Sequence, residues 1–108
     1  MEKRDAIAAL AALAQETRLD IYRILVRAGT EGMPAGAIGD QLGLASATLS
    51  FHLKELKAAG VVSCRREGRS LIYSPQFSTM ENLLGFLTEN CCQGAAVCPP
   101  ASGDGASC

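Results

Sequence analysis

The chain has a single histidine, His52, no apolar run of membrane-spanning length, and no lysine or arginine after Arg69. Each scarcity excludes something. One histidine, inside a segment of helical pattern, leaves no assembled acid, base and nucleophile, so the chain does not read as an enzyme. No stretch approaches the roughly 20 apolar residues of a spanning helix, which argues against a membrane partner. The Ile7 to Ala14 stretch is short, alanine-rich and runs straight into Gln15-Glu16, unlike a secretory leader. Five cysteines are present, but the number is odd, none precedes Cys64, and three fall between Cys91 and Cys98. That placement does not suit a secreted disulfide scaffold and predicts a reduced, cytoplasmic protein.

What is there fits one small domain. The 108 residues are 48% apolar, enough for a modest core assisted by dimerisation. A net charge of −1 hides an asymmetry: Lys54, Lys57, Arg65, Arg66 and Arg69 are half of the ten basic residues, opposed locally only by Glu55 and Glu67. A near-neutral chain with one basic stripe is suited to meeting a polyanion with one face.

The periodicity predicts helices over Asp5 to Ala14, Thr17 to Ala28, Pro34 to Leu42 and Ser46 to Ala59. Ile7, Leu10, Leu13 and Ala14 form the apolar stripe of the first. Leu19, Ile21, Tyr22, Leu25 and Val26 are the expected inner face of the second, and Leu49, Leu53 and Leu56 the seam of the fourth. Gly29, Gly43 and Gly60 are placed to end these helices. The period then changes to two: Val61 to Arg66 reads as a strand, Glu67-Gly68 as a tight turn, and Arg69 to Tyr73 as the returning strand. Pro75 interrupts, a last helix runs from Phe77 or Ser78 to about Asn90 with Met80, Leu83, Leu84 and Leu87, and a Pro/Gly/Ser/Ala-rich tail starting at Pro99 reads as disordered.

Helices joined by a short glycine-containing turn (Leu42-Gly43-Leu44) and followed by a hairpin describe a mainly α fold with a β-hairpin wing, the winged helix-turn-helix. Ser46 to Ala59 is then the recognition helix, with Ser46, Ser50, Lys54 and Lys57 on its polar face, flanked by Thr48 and His52. Small hydroxyl residues near its N-terminus can reach base edges, and the lysines further along can meet phosphates. Arg65, Arg66 and Arg69 at the hairpin tip form the wing, lying against the DNA backbone or in the minor groove. The partner these residues imply is double-stranded operator DNA.

Cys91, Cys92 and Cys98 have a different logic. Neighbouring Cα atoms lie about 3.8 Å apart, whereas a relaxed disulfide needs roughly 4.4–6.8 Å. Cys91 and Cys92 therefore resist bonding to each other, yet their sulfurs can converge on one soft atom. The spacer from Gln93 to Val97 is long enough to turn and bring in Cys98 as a third ligand. Three thiolates suit a thiophilic centre rather than magnesium or calcium. Cys64, alternating with Val62, reads as a small, partly buried apolar residue, and Cys108 as incidental.

Together these segments resemble the ArsR/SmtB family of metal-responsive repressors, over roughly residues 6–90. Glu16-Thr17-Arg18-Leu19-Asp20-Ile21 resembles the start of the family's second helix. Leu49 to Val62 is similar to its recognition-helix signature, and Arg65 to Arg69 followed by Tyr73 to its wing. The resemblance implies a cytoplasmic homodimer formed through the first and last helices, with repression relieved by a metal or metalloid. It divides the chain into a DNA-binding and dimerisation domain, residues 1–90, and a cysteine-containing metalloid-binding segment and tail, residues 91–108.

Two familiar sites of that family have no counterpart here. Ala35 to Gln41 holds no Cys-x-Cys, and the last helix holds no histidine. Cys91, Cys92 and Cys98 instead resemble a third kind of arsenic site, at the end of the dimerisation helix. As(III) and Sb(III) carry an active lone pair and favour three sulfurs in a trigonal pyramid, whereas structural zinc takes four ligands. Other readings stay open: an organoarsenical on two thiols, a divalent metal with Cys108 or water as fourth ligand, an oxidative Cys98–Cys108 switch, or a metalloid-buffering protein.

Overall fold

The computed structural model describes residues 1–94. Its elements are α1 (Lys3–Leu13), α2 (Glu16–Ala28), a 3-10 turn (Gly29–Glu31), β1 (Met33–Pro34), α3 (Ala35–Leu42), α4 (Ser46–Ala58), β2 (Val62–Glu67), β3 (Ser70–Pro75), α5 (Phe77–Leu87) and a second 3-10 turn (Cys91–Gly94). The architecture is the expected winged helix-turn-helix. Cys98, Cys108 and the tail after Pro99 lie outside the described residues.

Ile21, Leu25, Ile38, Leu53, Leu56 and Val61 are fully buried and form the centre of the core. The Leu49, Leu53 and Leu56 seam of α4 points inward as the pattern requires. Gly60, at φ +78°, ends α4: its own N–H bonds the Lys57 carbonyl at 3.0 Å, and that of Val61 the Leu56 carbonyl at 3.2 Å. This paired closure, with a left-handed glycine that no β-carbon obstructs, turns the chain directly into the hairpin.

In α1 the buried residues are Ala6, Ala9 and Ala12, whereas Ile7 (58%) and Leu10 (44%) of its apolar stripe are exposed. Small residues face the core because the methyl-sized side chains let α1 lie close against its neighbours. Several sequence expectations elsewhere are corrected. In α2 the inner face is Ile21, Tyr22, Ile24 and Leu25; Leu19 and Val26 point outward. The hairpin turn is Gly68-Arg69, one residue later than expected, with Glu67 opposite Ser70. Gly68, at φ +62°, sits in the turn, and Arg69 therefore belongs to the tip and not to the returning strand. Pro75 does not precede a break but closes β3, paired with Val62. The last helix ends at Leu87, and Thr88 to Asn90 form a turn before Cys91.

The sheet has three strands in the order β1-β3-β2, all neighbours antiparallel. Short β1 aligns Met33 with Tyr73 and Pro34 with Ile72, so the wing is rooted on the segment that leads into α3. On α5, Leu83 is buried while Leu84 and Leu87 are exposed, so α1 and α5 each keep an apolar edge outside the core.

Candidate nucleic-acid interface and thiol pair

Ser46, Thr48, Ser50, Lys54 and Lys57 are all exposed on α4, which places every one of these sequence-selected residues on the surface of the candidate reading helix. No salt bridge among the described residues engages Lys54 or Lys57, so their charge is available to an external anion. His52 differs. It is half-buried, and its Nδ1 lies 3.5 Å from Nη1 of Arg18 on α2. Its ring also meets the Phe51 ring edge-on, centroids 5.5 Å apart at 62°. His52 thus serves the packing of α4 on α2 more than its outer surface.

The three wing arginines separate in the same way. Arg66 and Arg69 are exposed and form no salt bridge among the described residues. Arg65 is exposed too, but it is committed to bonds within the chain: Nε donates to Oε2 of Glu67 at 2.6 Å, and Nη2 to the Glu31 carbonyl at 2.6 Å. A longer bond of 3.5 Å runs from Nη1 to the Thr30 carbonyl. Arg65 braces the hairpin against the turn that ends α2.

Cys64 is half-buried opposite Tyr73 in the β2–β3 register. Burial first, and then the Cys64 thiol, pushes the Tyr73 phenol above its ordinary range. At the base of the hairpin, the hydroxyls of Ser63 and Ser74 share a hydrogen bond of 3.1 Å, which satisfies the buried Ser74.

The turn after α5 brings Cys91 and Cys92 together. Their sulfurs lie 2.9 Å apart, both residues exposed and both thiols free. Asn90 (φ +57°) and Cys92 (φ +64°) are the non-glycine residues with positive φ among those described. Adjacent side chains normally diverge, and this left-handed backbone is what folds the two sulfurs onto one side. The hydrogen bond it shares with Cys91 favours the protonated Cys92 thiol and pushes it above a cysteine's ordinary range. Among the described residues no group of three or more metal-ligating side chains assembles.

Sequence reasoning passed over Arg18 and Phe51. The role of Arg18 has no sequence signature, because its partners (the Ala12 carbonyl at 2.8 Å and His52) are set by tertiary packing. Phe51 carried a legible signal: it is out of phase with the Leu49, Leu53 and Leu56 seam, and it is 56% exposed.

A helix with a hydroxyl-rich start and free lysines, followed by a braced basic hairpin, defines a winged helix-turn-helix DNA-binding protein. Residues 13–65 match a helix-turn-helix domain family. Over 80 residues the chain is 36% identical to nodulation protein NolR of Rhizobium meliloti, a match spanning 74% of this chain but 63% of that protein, under two thirds of its length. Over 95 residues it is 30% identical to the transcriptional activator HlyU of Vibrio cholerae, covering 86% of this chain and 85% of that one. The homodimeric winged helix-turn-helix DNA-binding domain of a possible ArsR-family regulator from Mycobacterium bovis matches with a TM-score of 0.66 at 26% identity, over 81% of each chain. The chain belongs to the ArsR family of DNA-binding transcriptional regulators. Its relatives regulate transcription and are not enzymes. Among the described residues no helix is long and apolar enough to cross a membrane.

Proposed function

We propose that this protein is a homodimeric repressor that leaves its operator when As(III) or Sb(III) binds Cys91, Cys92 and Cys98. The observation that carries the reading is the convergence of the Cys91 and Cys92 sulfurs, exposed and unbonded, at the exit of α5. Arsenite would exchange its three hydroxyls for three sulfurs, each thiol proton leaving in a water, with no change of oxidation state. Cys98 supplies the third sulfur from the segment that follows.

Residues 1–90 would read DNA and dimerise, and residues 91–108 would sense. Ser46, Thr48 and Ser50 would face base edges, and Lys54, Lys57, Arg66 and Arg69 phosphates. His52 and Arg65 support that surface from behind. The exposed edges of α1 (Ile7, Leu10) and α5 (Leu84, Leu87) are the faces through which two copies would join. In such a dimer, α5 would carry the apolar seam and lead through a short turn into the thiol pair. Metalloid capture would then act on the spacing of the two reading heads, as a difference in metalloid affinity between free and DNA-bound states.

The test is fluorescence anisotropy on the DNA upstream of the protein's own coding region, titrated with arsenite under reducing conditions. Wild type is expected to bind and then release, while Cys91→Ser, Cys92→Ser and Cys98→Ser bind and stay. A normal arsenite response in Cys91→Ser would sink the three-sulfur site. Because Cys91 and Cys92 alone are assembled among the described residues, a two-thiol organoarsenical is the second reading; it leaves Cys98→Ser inducible.

A further inference from the structure

Phe51 is the large apolar side chain on the outer surface of α4, and it is 56% exposed. At 100° per residue it lies about 200° round the helix from both Leu49 and Leu53, directly opposite the buried seam. Its neighbours one turn away are Ala47, Thr48, Lys54 and Glu55, all exposed. Among the described residues the Phe51 side chain is left more than half exposed. Its edge contact with His52, centroids 5.5 Å apart at 62°, limits the ring's freedom, and His52 is itself held by Arg18 at 3.5 Å. An aromatic ring in edge contact with His52 is thus presented outward, between hydroxyl residues that precede it and a lysine that follows.

We infer that Phe51 is a specificity-determining residue that reads the 5-methyl group of thymine in the major groove. The inference rests on α4 being the reading helix. Of the groups that base pairs display in that groove, the thymine methyl is the apolar one, and apolar side chains recognise it. Ser46 and Ser50 offer that methyl no apolar group, and Thr48 offers only its own small methyl. Phe51 supplies the large apolar surface, while Lys54, one turn further on, sits where a phosphate would fix the register.

Replacing thymine by deoxyuridine removes the methyl and leaves every hydrogen-bonding group in place, so it isolates this contact. The full-length protein would first select a duplex from a random library, and each thymine of that duplex would then be replaced in turn. At one thymine per half-site, deoxyuridine is expected to weaken wild type about fourfold, and about sixteenfold when both half-sites are changed, the worth of one buried methyl each. Phe51→Ala should bind the thymine and deoxyuridine duplexes alike, Phe51→Leu should keep part of the discrimination, and neither should change the salt dependence that phosphate contacts set. Wild type indifferent to every deoxyuridine replacement would overturn the inference without recourse to any variant. So would Phe51→Ala paying the same penalty as wild type. Failure to select any sequence would remove the reading-helix assignment together with the inference, whereas a selected duplex insensitive to deoxyuridine removes the inference alone.

Discussion

Nη1 of Arg18 meets Nδ1 of His52 at 3.5 Å, while Nε of the same guanidinium donates to the Ala12 carbonyl at 2.8 Å. One side chain at the start of α2 therefore ties the C-terminal end of α1 to the middle of α4. The positive charge also complements the carbonyl-rich end of α1.

Arg18→Ala removes both bonds and is expected to cost about 1–2 kcal/mol of stability. DNA affinity should fall as well, because α4 loses its orientation on α2. Arg18→Lys restores the charge but not the planar fork and should recover only part of each loss. Urea midpoints and anisotropy on the same preparations give the comparison; an Arg18→Ala protein with unchanged affinity would show that the link does not orient α4.

The wing arginines should divide by measurement as they divide in space. Arg66→Ala and Arg69→Ala are each expected to lower the slope of log affinity against log salt by about 1, with little effect on stability. Arg65→Ala should lower the slope less and instead reduce stability by about 0.5–1 kcal/mol, since its bonds lie at the surface. Equal slope changes for all three would mean that Arg65 leaves Glu67 and Glu31 to bind phosphate.

Gly32 lies at φ +75°, and a β-carbon there would come within 2.5 Å of the Tyr73 carbonyl oxygen and 2.9 Å of Ile72 Cγ2. That close approach is what lets β1 pair with β3. Gly32→Ala is expected to destabilise by about 2–3 kcal/mol. Gly36, in α3, has nothing within 4 Å of such a carbon, and Gly36→Ala should be stabilising by about 0.5–1 kcal/mol. Thermal unfolding of the two variants would be compared directly, and a Gly32→Ala protein as stable as wild type would contradict the register.

Burial pushes the Tyr22 phenol above its ordinary value, about 10. The folded state then holds its proton more tightly than the unfolded state. The associated stability is fully present below pH about 10 and is lost as pH rises through the folded value. Tyr22→Phe should flatten this alkaline decline, leaving a residue from Tyr73, whose phenol is raised in the same direction. Urea midpoints at neutral and alkaline pH would test it.

Helix seams and hairpin were legible because α4 buries Leu49, Leu53 and Leu56, and β2 and β3 bury Val62 and Ile72, at the spacing each element dictates; Phe51 and Leu71 are the exposed exceptions. The inner face of α1 was not, because bulk was the cue and the core there is lined by Ala6, Ala9 and Ala12. The stripe of Ile7 and Leu10 lies on the exposed side of α1, the helix to which the resemblance gives a dimer contact. On α2 bulk misled, since Leu19 and Val26 point outward. Arg65 was read as a contact for DNA because its type and position suit one; its partner, a backbone carbonyl 34 residues earlier, has no sequence signature. The neighbouring thiols were legible, but the left-handed backbone at Asn90 and Cys92 that turns both sulfurs to one side was not.

The brace formed by Arg65 bears on how an encounter with DNA proceeds. A loose hairpin must be ordered as it docks, and the lost conformational freedom is subtracted from the affinity. Here the hairpin is rooted on β1 and pinned to the turn after α2, so the distance between the charges at its tip and the outer surface of α4 is set beforehand. If DNA is read as proposed, the two surfaces would act as one ruler of fixed length, and a duplex whose groove and backbone are spaced differently would fit it poorly.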